Sequence, residues 1–340
     1  MNQAEHGGDV AAFCQQQGFD KTEVLDFSSN LNWFLEPIED ASWLRWKEAA
    51  GIYGQAAARG VAEKIADLYA YQESHVLPTA GAIEAIYLAA QLFEGRRVLI
   101  GEPGFADYQR AFRRCETKTW NLSIDDEEAL PWAEVVIFGS PNNPTGVRYD
   151  LEEWRARWPG KIWLVDETFV EFSTAAASTA HEDVIIFRSF TKSWRIPGLR
   201  LGYLLCANST WMKELSLLQA PWSVSALAQA WAADCLNPSG KKRVQDAIEN
   251  QIAERDRLRD YLQLIPGVWV QESEANFLLL ELLRGSAADL WQSLAEKGLM
   301  TRKVDSFAGL RKDAFLRIAV RTSEDNQVLL KAVQDYFEGI

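Results

Sequence analysis

Five short runs, Arg97–Gly101, Ala133–Gly139, Lys161–Asp166, Val184–Phe187 and Leu201–Cys206, are β-rich and apolar on both faces, and polar or helix-forming stretches separate them. A strand with two apolar faces has to be covered on both sides, which helices do in parallel or mixed sheets. The alternation therefore predicts an α/β architecture with a mixed, mostly parallel sheet. It also places ligand chemistry at the carboxyl ends of the strands.

A different pattern follows. Residues 226–264 read as helical, ending in a long charged amphipathic stretch whose polar side chains belong to solvent. Strands at Val268–Gln271 and Asn276–Glu281, a helix near 287–297 and a strand at Phe315–Val320 come next. At 340 residues the chain is long enough for more than one lobe. We expect a large α/β domain over 40–225. An N-terminal arm, 1–39, would join 226–340 in a smaller α+β domain.

Composition narrows the partners. The net charge of −13, from 35 basic and 48 acidic residues, argues against nucleic acid or an anionic membrane surface as partner. No run of about 18 apolar residues occurs, so no membrane span is expected. The start, Met1-Asn2-Gln3-Ala4-Glu5-His6, lacks the basic and apolar regions of a signal peptide. Four scattered cysteines without Cys-x-x-Cys spacing suit a reducing cytoplasm, and three dispersed histidines make no metal cluster.

Each strand end carries candidate chemistry. Thr79-Ala80-Gly81-Ala82 opens a helix whose free amides and positive dipole end suit a phosphate, although many helices begin this way. Phe105 stands on a turn after the first run, as a stacking ring or a core anchor. Ser140-Pro141-Asn142-Asn143-Pro144-Thr145-Gly146 makes a rigid turn after the second. The third ends at Asp166, a carboxylate costly to bury without a cationic partner. The fourth leads into Ser189-Phe190-Thr191-Lys192, with Pro197-Gly198-Leu199-Arg200 beyond. A lysine at a strand end, beside hydroxyls and other cations, loses its proton readily enough to attack a carbonyl. Ser189, Thr191 and Arg200 are donors of the kind that surround a phosphate. Taken alone, Lys192 reads first as an ordinary surface lysine after a strand.

In this order and spacing the residues resemble the aspartate-aminotransferase-like (fold type I) enzymes, class I and II, which use pyridoxal 5′-phosphate. The shared pattern is Ser-x-Ser/Thr-Lys with Arg-x-Gly some way beyond, and Asn-Pro-Thr-Gly after a strand is specific to it. The resemblance implies two catalytic residues: Lys192, bonded to the cofactor, and Asp166, paired with the pyridinium nitrogen so that the ring stays an electron sink. It implies Ala80, Gly81, Ala82, Ser189, Thr191 and Arg200 around the cofactor phosphate, Phe105 stacked on the ring, and Asn143 on the 3′-oxygen. Phe169 replaces a tyrosine common in related aminotransferases, removing one hydrogen bond to that oxygen. Tyr53 matches a tyrosine that reaches the neighbouring subunit's cofactor phosphate, with Gly54-Gln55 in place of Pro-Asp, so a homodimer is implied.

The arm, His6-Gly7-Gly8 and then Asp26-Phe27-Ser28-Ser29-Asn30-Leu31-Asn32, resembles that of the threonine-phosphate decarboxylases of cobalamin synthesis, with Trp33 where they carry proline. As bare sequence it reads first as a structural arm with caps. The resemblance puts His6, Asn30 and Asn32 in the substrate pocket. Arg317 matches an arginine that grips the α-carboxylate in a two-pronged fork, and Arg302 matches one that binds a distal phosphate. Arg321 is a further candidate. The implied reaction is decarboxylation of L-threonine O-3-phosphate, a small phosphorylated amino acid, to (R)-1-amino-2-propanol O-2-phosphate. The alternatives are an aminotransferase acting on histidinol phosphate or a similar phosphorylated amine, and a non-catalytic protein that holds the cofactor.

Overall fold

The structure, a computed structural model, describes residues 7–36, 38, 40–122 and 129–340. In chain order its strands are β1 (Leu25–Asp26), β2 (Val76–Thr79), β3 (Arg97–Glu102) and β4 (Glu116–Asn121). Then come β5 (Val135–Gly139), β6 (Ile162–Asp166), β7 (Val184–Ser189) and β8 (Gly202–Cys206). The remainder are β9 (Val268–Val270), β10 (Phe277–Leu282), β11 (Leu299–Met300), β12 (Arg302–Lys303) and β13 (Phe315–Ala319).

The large sheet has the order β2-β8-β7-β6-β5-β3-β4. All its neighbours pair in parallel except β8, which runs against both β2 and β7. This is the mixed, mostly parallel sheet the alternating runs predict. Every residue of β5 and β7 is buried, as two-sided coverage by helices requires. A second, antiparallel sheet has the order β12-β13-β10-β9. Its core gathers Leu278, Leu280, Leu316 and Ile318 with Leu329 and Val333 of the helix Ser323–Glu338. Phe27 of the arm is buried in that same core, and β1 pairs in parallel with β11, so the arm packs with the C-terminal part of the chain.

The expected strands fall within about two residues of β3, β5 to β10 and β13. Two strands of the large sheet stand apart from that pattern. β2 begins the segment read as a phosphate turn, and β4 is an edge strand, Glu-Thr-Lys-Thr-Trp-Asn, burying only Trp120. Polar, charged edges guard a sheet against pairing with another chain, and they erase the apolar signal. Between β1 and β2 lie the helices Asp40–Trp46 and Arg59–Tyr69 with a 3₁₀ turn between them. The stretch read as helical over 226–264 breaks at Asn237-Pro238, where the Asn237 side chain caps Gly240 N and the proline fills the first turn.

Register brings the strand ends level. Gly139 of β5 lies beside Asp166 of β6, and Asp166 beside Phe187 of β7. Behind this edge, Arg188 and Glu167 form an ion pair at 2.6 Å with both side chains almost fully buried. Two charges tolerate such burial only when each has an opposite partner, and the other Glu167 oxygen accepts from Ser178 N at 2.9 Å. The pair ties the ends of β6 and β7 together beside the residues that carry the chemistry. Among the described residues, no helix is long and apolar enough to cross a membrane.

Candidate active site

A cavity of about 410 Å³ opens at the carboxyl ends of β3, β5, β6 and β7. At one end the helix Gly81–Leu92 points its N-terminus inward. Gly81 has φ +78°, which favours glycine, and without a Cβ it leaves the Arg200 guanidinium room against the helix start, where a Cβ would stand 3.0 Å from Arg200 Nη2. Gly202 is demanded for the same junction, since a Cβ on it would meet Arg188 O at 2.6 Å and Gly81 C at 2.7 Å. Ala82, Ser189, Thr191 and Arg200 line the cavity here. Ala80 does not offer its amide, which donates to Glu84 Oε2. A helix N-terminus, two hydroxyls and a guanidinium make a donor set suited to a phosphate dianion.

Lys192 sits on the short helix Phe190–Ser193 that turns off the end of β7, with Ser189 Oγ accepting from Thr191 N at its start. Burial first, and then the charges of Arg317 and Arg200, pull the Lys192 amine down to about 8. Asp166, at the end of β6, accepts from Tyr108 Oη at 2.8 Å on one oxygen and from Thr168 N at 3.0 Å on the other. Burial pushes its carboxyl up, and these hydrogen bonds oppose that.

The Asn-Pro-Thr-Gly turn divides its two asparagines. Asn142 is spent inside, donating to Pro103 O and Thr145 Oγ1. Asn143 faces the cavity and accepts from Arg317 Nη1. Arg317 also donates to Ser28 O at 2.9 Å and lies over the Phe277 ring, while its buried Nε finds no partner among the described residues. Arg302 is the direct register partner of Arg317 across β12 and β13, and both line the cavity. Burial and the Arg302 charge work against the Arg317 proton, although a guanidinium keeps it through the neutral range.

The structure separates the other candidates. Phe105 and Asn30 line the cavity, and Asn30 Oδ1 is buried with no partner among the described residues. Asn32 does not line it; its side chain donates to Ser193 O and its amide to Lys192 O, so it braces the lysine turn from behind. Arg321 lies away as well, committed to Asp325 and Asp26 O and stacked 3.8 Å from the Trp33 ring. Tyr53 is exposed and packs against Trp222. His6 falls outside the described residues. The arm nevertheless reaches the site through Gly7, Ser28, Ser29 and Asn30. Gly8 N donates to Ser28 Oγ, and a Cβ on Gly7 would strike Ser28 O at 2.4 Å, so the glycine pair is what lets the arm lie this close. Thr168, Phe307 and Tyr108 also line the cavity without having been singled out as candidates. Tyr108 lies three residues after Phe105, which puts both rings on one side of a helical turn; that spacing was the available signal.

The sheet order and the lysine at the end of β7 define an α/β protein of the aspartate-aminotransferase-like, fold type I class. The chain belongs to the aminotransferase class I and II family, whose profile matches residues 23–333. Its cofactor is pyridoxal 5′-phosphate. A threonine-phosphate decarboxylase from Salmonella typhimurium is 28% identical over an alignment covering 98% of this chain and 97% of that protein. A histidinol-phosphate aminotransferase from Caldanaerobacter subterraneus subsp. tengcongensis is 30% identical over 84% of each. Among solved structures, the L-threonine-O-3-phosphate decarboxylase from Porphyromonas gingivalis superposes with a TM-score of 0.81 at 25% identity, covering 92% of this chain and 99% of that one.

Proposed function

We propose that the chain decarboxylates L-threonine O-3-phosphate to (R)-1-amino-2-propanol O-2-phosphate. The observation that carries this reading is the Arg302–Arg317 pair. Like charges directly opposed across a strand pair destabilise it, and anions in the cavity they face would offset that repulsion. A substrate with an α-carboxylate and a distal phosphate engages both arginines at once. Histidinol phosphate brings one anionic group. The arm supports the same reading, because the decarboxylase relative matches almost the whole chain, arm included.

The cofactor, once bound, supplies an electron sink for the charge left at Cα when a bond there breaks. Ser189, Thr191, Arg200 and the amides at Gly81 and Ala82 would hold its phosphate, Lys192 would bond to its aldehyde carbon, Asp166 would accept its ring N–H, and Asn143 would meet its 3′-oxygen. Arg317 would grip the substrate carboxylate and so fix the direction of the bond between that group and Cα. With the carboxyl group lost as carbon dioxide, the Lys192 amine, displaced from the cofactor by the substrate's own amine, would be placed to deliver a proton to Cα. Arg302 with Ser29 and Asn30 receives the phosphate end, and the arm shields the site from water. Phe169 faces the site with an apolar ring packed on Phe277. Carbon dioxide release from L-threonine O-3-phosphate without an oxo acid tests the reaction. The second reading, an aminotransferase for histidinol phosphate, draws on the 30% identical relative. It requires an oxo acid to turn over.

The depressed Lys192 amine has a kinetic consequence. Only the neutral amine attacks the cofactor aldehyde, so an amine at about 8 makes capture by the cofactor-free protein rise about tenfold from pH 7 to 9 and level off. A lysine at its ordinary value of about 10.4 gives roughly a hundredfold rise over that interval and no plateau. Stopped-flow absorbance distinguishes the two.

We also propose that a second copy of the chain covers the exposed apolar side chains of Ile52, Tyr53 and Trp222. The Tyr53 and Trp222 rings lie 5.1 Å apart, and Trp222 is fixed by bonds to Gly54 O and Ala56 O, so the patch is built rather than loose. Sedimentation should show a dimer for the unaltered chain and a monomer for Trp222→Asp. A monomeric unaltered chain would contradict this.

A further inference from the structure

Tyr108 belongs to the short helix Asp107–Ala111 that follows β3, two strands away from β6 in the sheet. Its hydroxyl nevertheless reaches Asp166 at 2.8 Å. The path crosses β5 at Gly139, the register partner of Asp166, where a Cβ would stand 3.4 Å from the Tyr108 hydroxyl. The ring is held edge-on against Phe105 at 5.7 Å and is almost completely buried. Thr168 N meets the other oxygen, and the Thr168 side chain also bonds the carboxylate, so Asp166 is held by donors on both oxygens.

We propose that Tyr108 is a positioning residue, donating to Asp166 so that this carboxylate is held ionised and aimed at the ring nitrogen of the cofactor. The inference rests on the assignment of Asp166 to that nitrogen made above. A hydrogen bond to a charged acceptor is stronger than one between neutral groups, and it fixes direction as well as charge. Burial holds the phenol well above its usual titration range, so Tyr108 remains a donor. Burial also works against the Asp166 charge, and the Tyr108 and Thr168 bonds are what oppose it. A purely space-filling role would be served as well by phenylalanine.

The test is equilibrium dialysis of cofactor-free protein against two ligands. One is pyridoxal 5′-phosphate, and the other is its analogue with carbon in place of the ring nitrogen. The unaltered protein should prefer the natural cofactor. Tyr108→Phe should lose about tenfold or more in affinity for pyridoxal 5′-phosphate, the worth of one hydrogen bond to a charged group, and bind the analogue unchanged. Tyr108→His, which keeps a ring and an N–H donor, should recover most of the loss, and it carries the test if the phenylalanine variant does not fold. Equal losses for both ligands would overturn the proposal, because Tyr108 would then shape the pocket alone. So would no loss for either. An unaltered protein that does not distinguish the two ligands would overturn the Asp166 assignment, and the proposal with it.

Discussion

Replacing Lys192 by alanine is expected to abolish the visible absorbance of lysine-bound cofactor and to lower turnover by at least about 10⁴-fold. The size follows from where the residue stands. It is the amine on a turn fixed at both sides, by the Ser189 cap and by Asn32, which bonds the Lys192 and Ser193 carbonyls. It faces a cavity whose phosphate donors and carboxylate lie on other residues. Lys192→Ala leaves those intact, so the cofactor still binds, reversibly, and the fold persists because the change removes a cation whose charge burial disfavours. A surface lysine of no consequence would leave spectrum and turnover untouched. Absorbance before and after dialysis separates the cases.

Arg317→Lys is expected to reduce kcat/KM by about 10² to 10³, with cofactor absorbance retained. The substitution keeps the charge and removes the fork. Arg317 bonds Asn143 and Ser28 O at once and rests on Phe277, so its planar group is aimed from three sides. A lysine ammonium can follow the carboxylate but cannot fix the angle of the bond to be broken. The loss should therefore appear in kcat as well as in KM. A change smaller than about threefold would show that the carboxylate is held elsewhere.

The parts of this molecule that were legible in its sequence are those where local chemistry and position coincide. β5, β6 and β7 are apolar over most of their length because helices cover both faces, so Asp166 at the end of β6 and Arg188-Ser189 at the end of β7 stand out against them. The order of Gly81, Asn143, Asp166, Lys192 and Arg200 along the chain then survives folding, because a parallel sheet brings successive strand ends to one edge. What was illegible is set by tertiary geometry. Nothing local distinguishes Asn30, which faces the cavity, from Asn32, which braces the lysine turn two residues later. Arg317 and Arg321 share a short segment, yet the first lies on β13 facing the site and the second follows it, paired to Asp325 beneath Trp33. The opposition of Arg302 and Arg317 is a matter of strand register, invisible until β12 and β13 pair. β4 escaped because an edge strand is polar by necessity.

Decarboxylation is the central claim, and one measurement reaches it directly. Cofactor-loaded protein is incubated with L-threonine O-3-phosphate and no oxo acid, and carbon dioxide is counted per active site. The account predicts many turnovers, with 1-amino-2-propanol phosphate accumulating in step. No release, together with conversion of the cofactor to its amine form by histidinol phosphate, would contradict it and assign the chain to transamination.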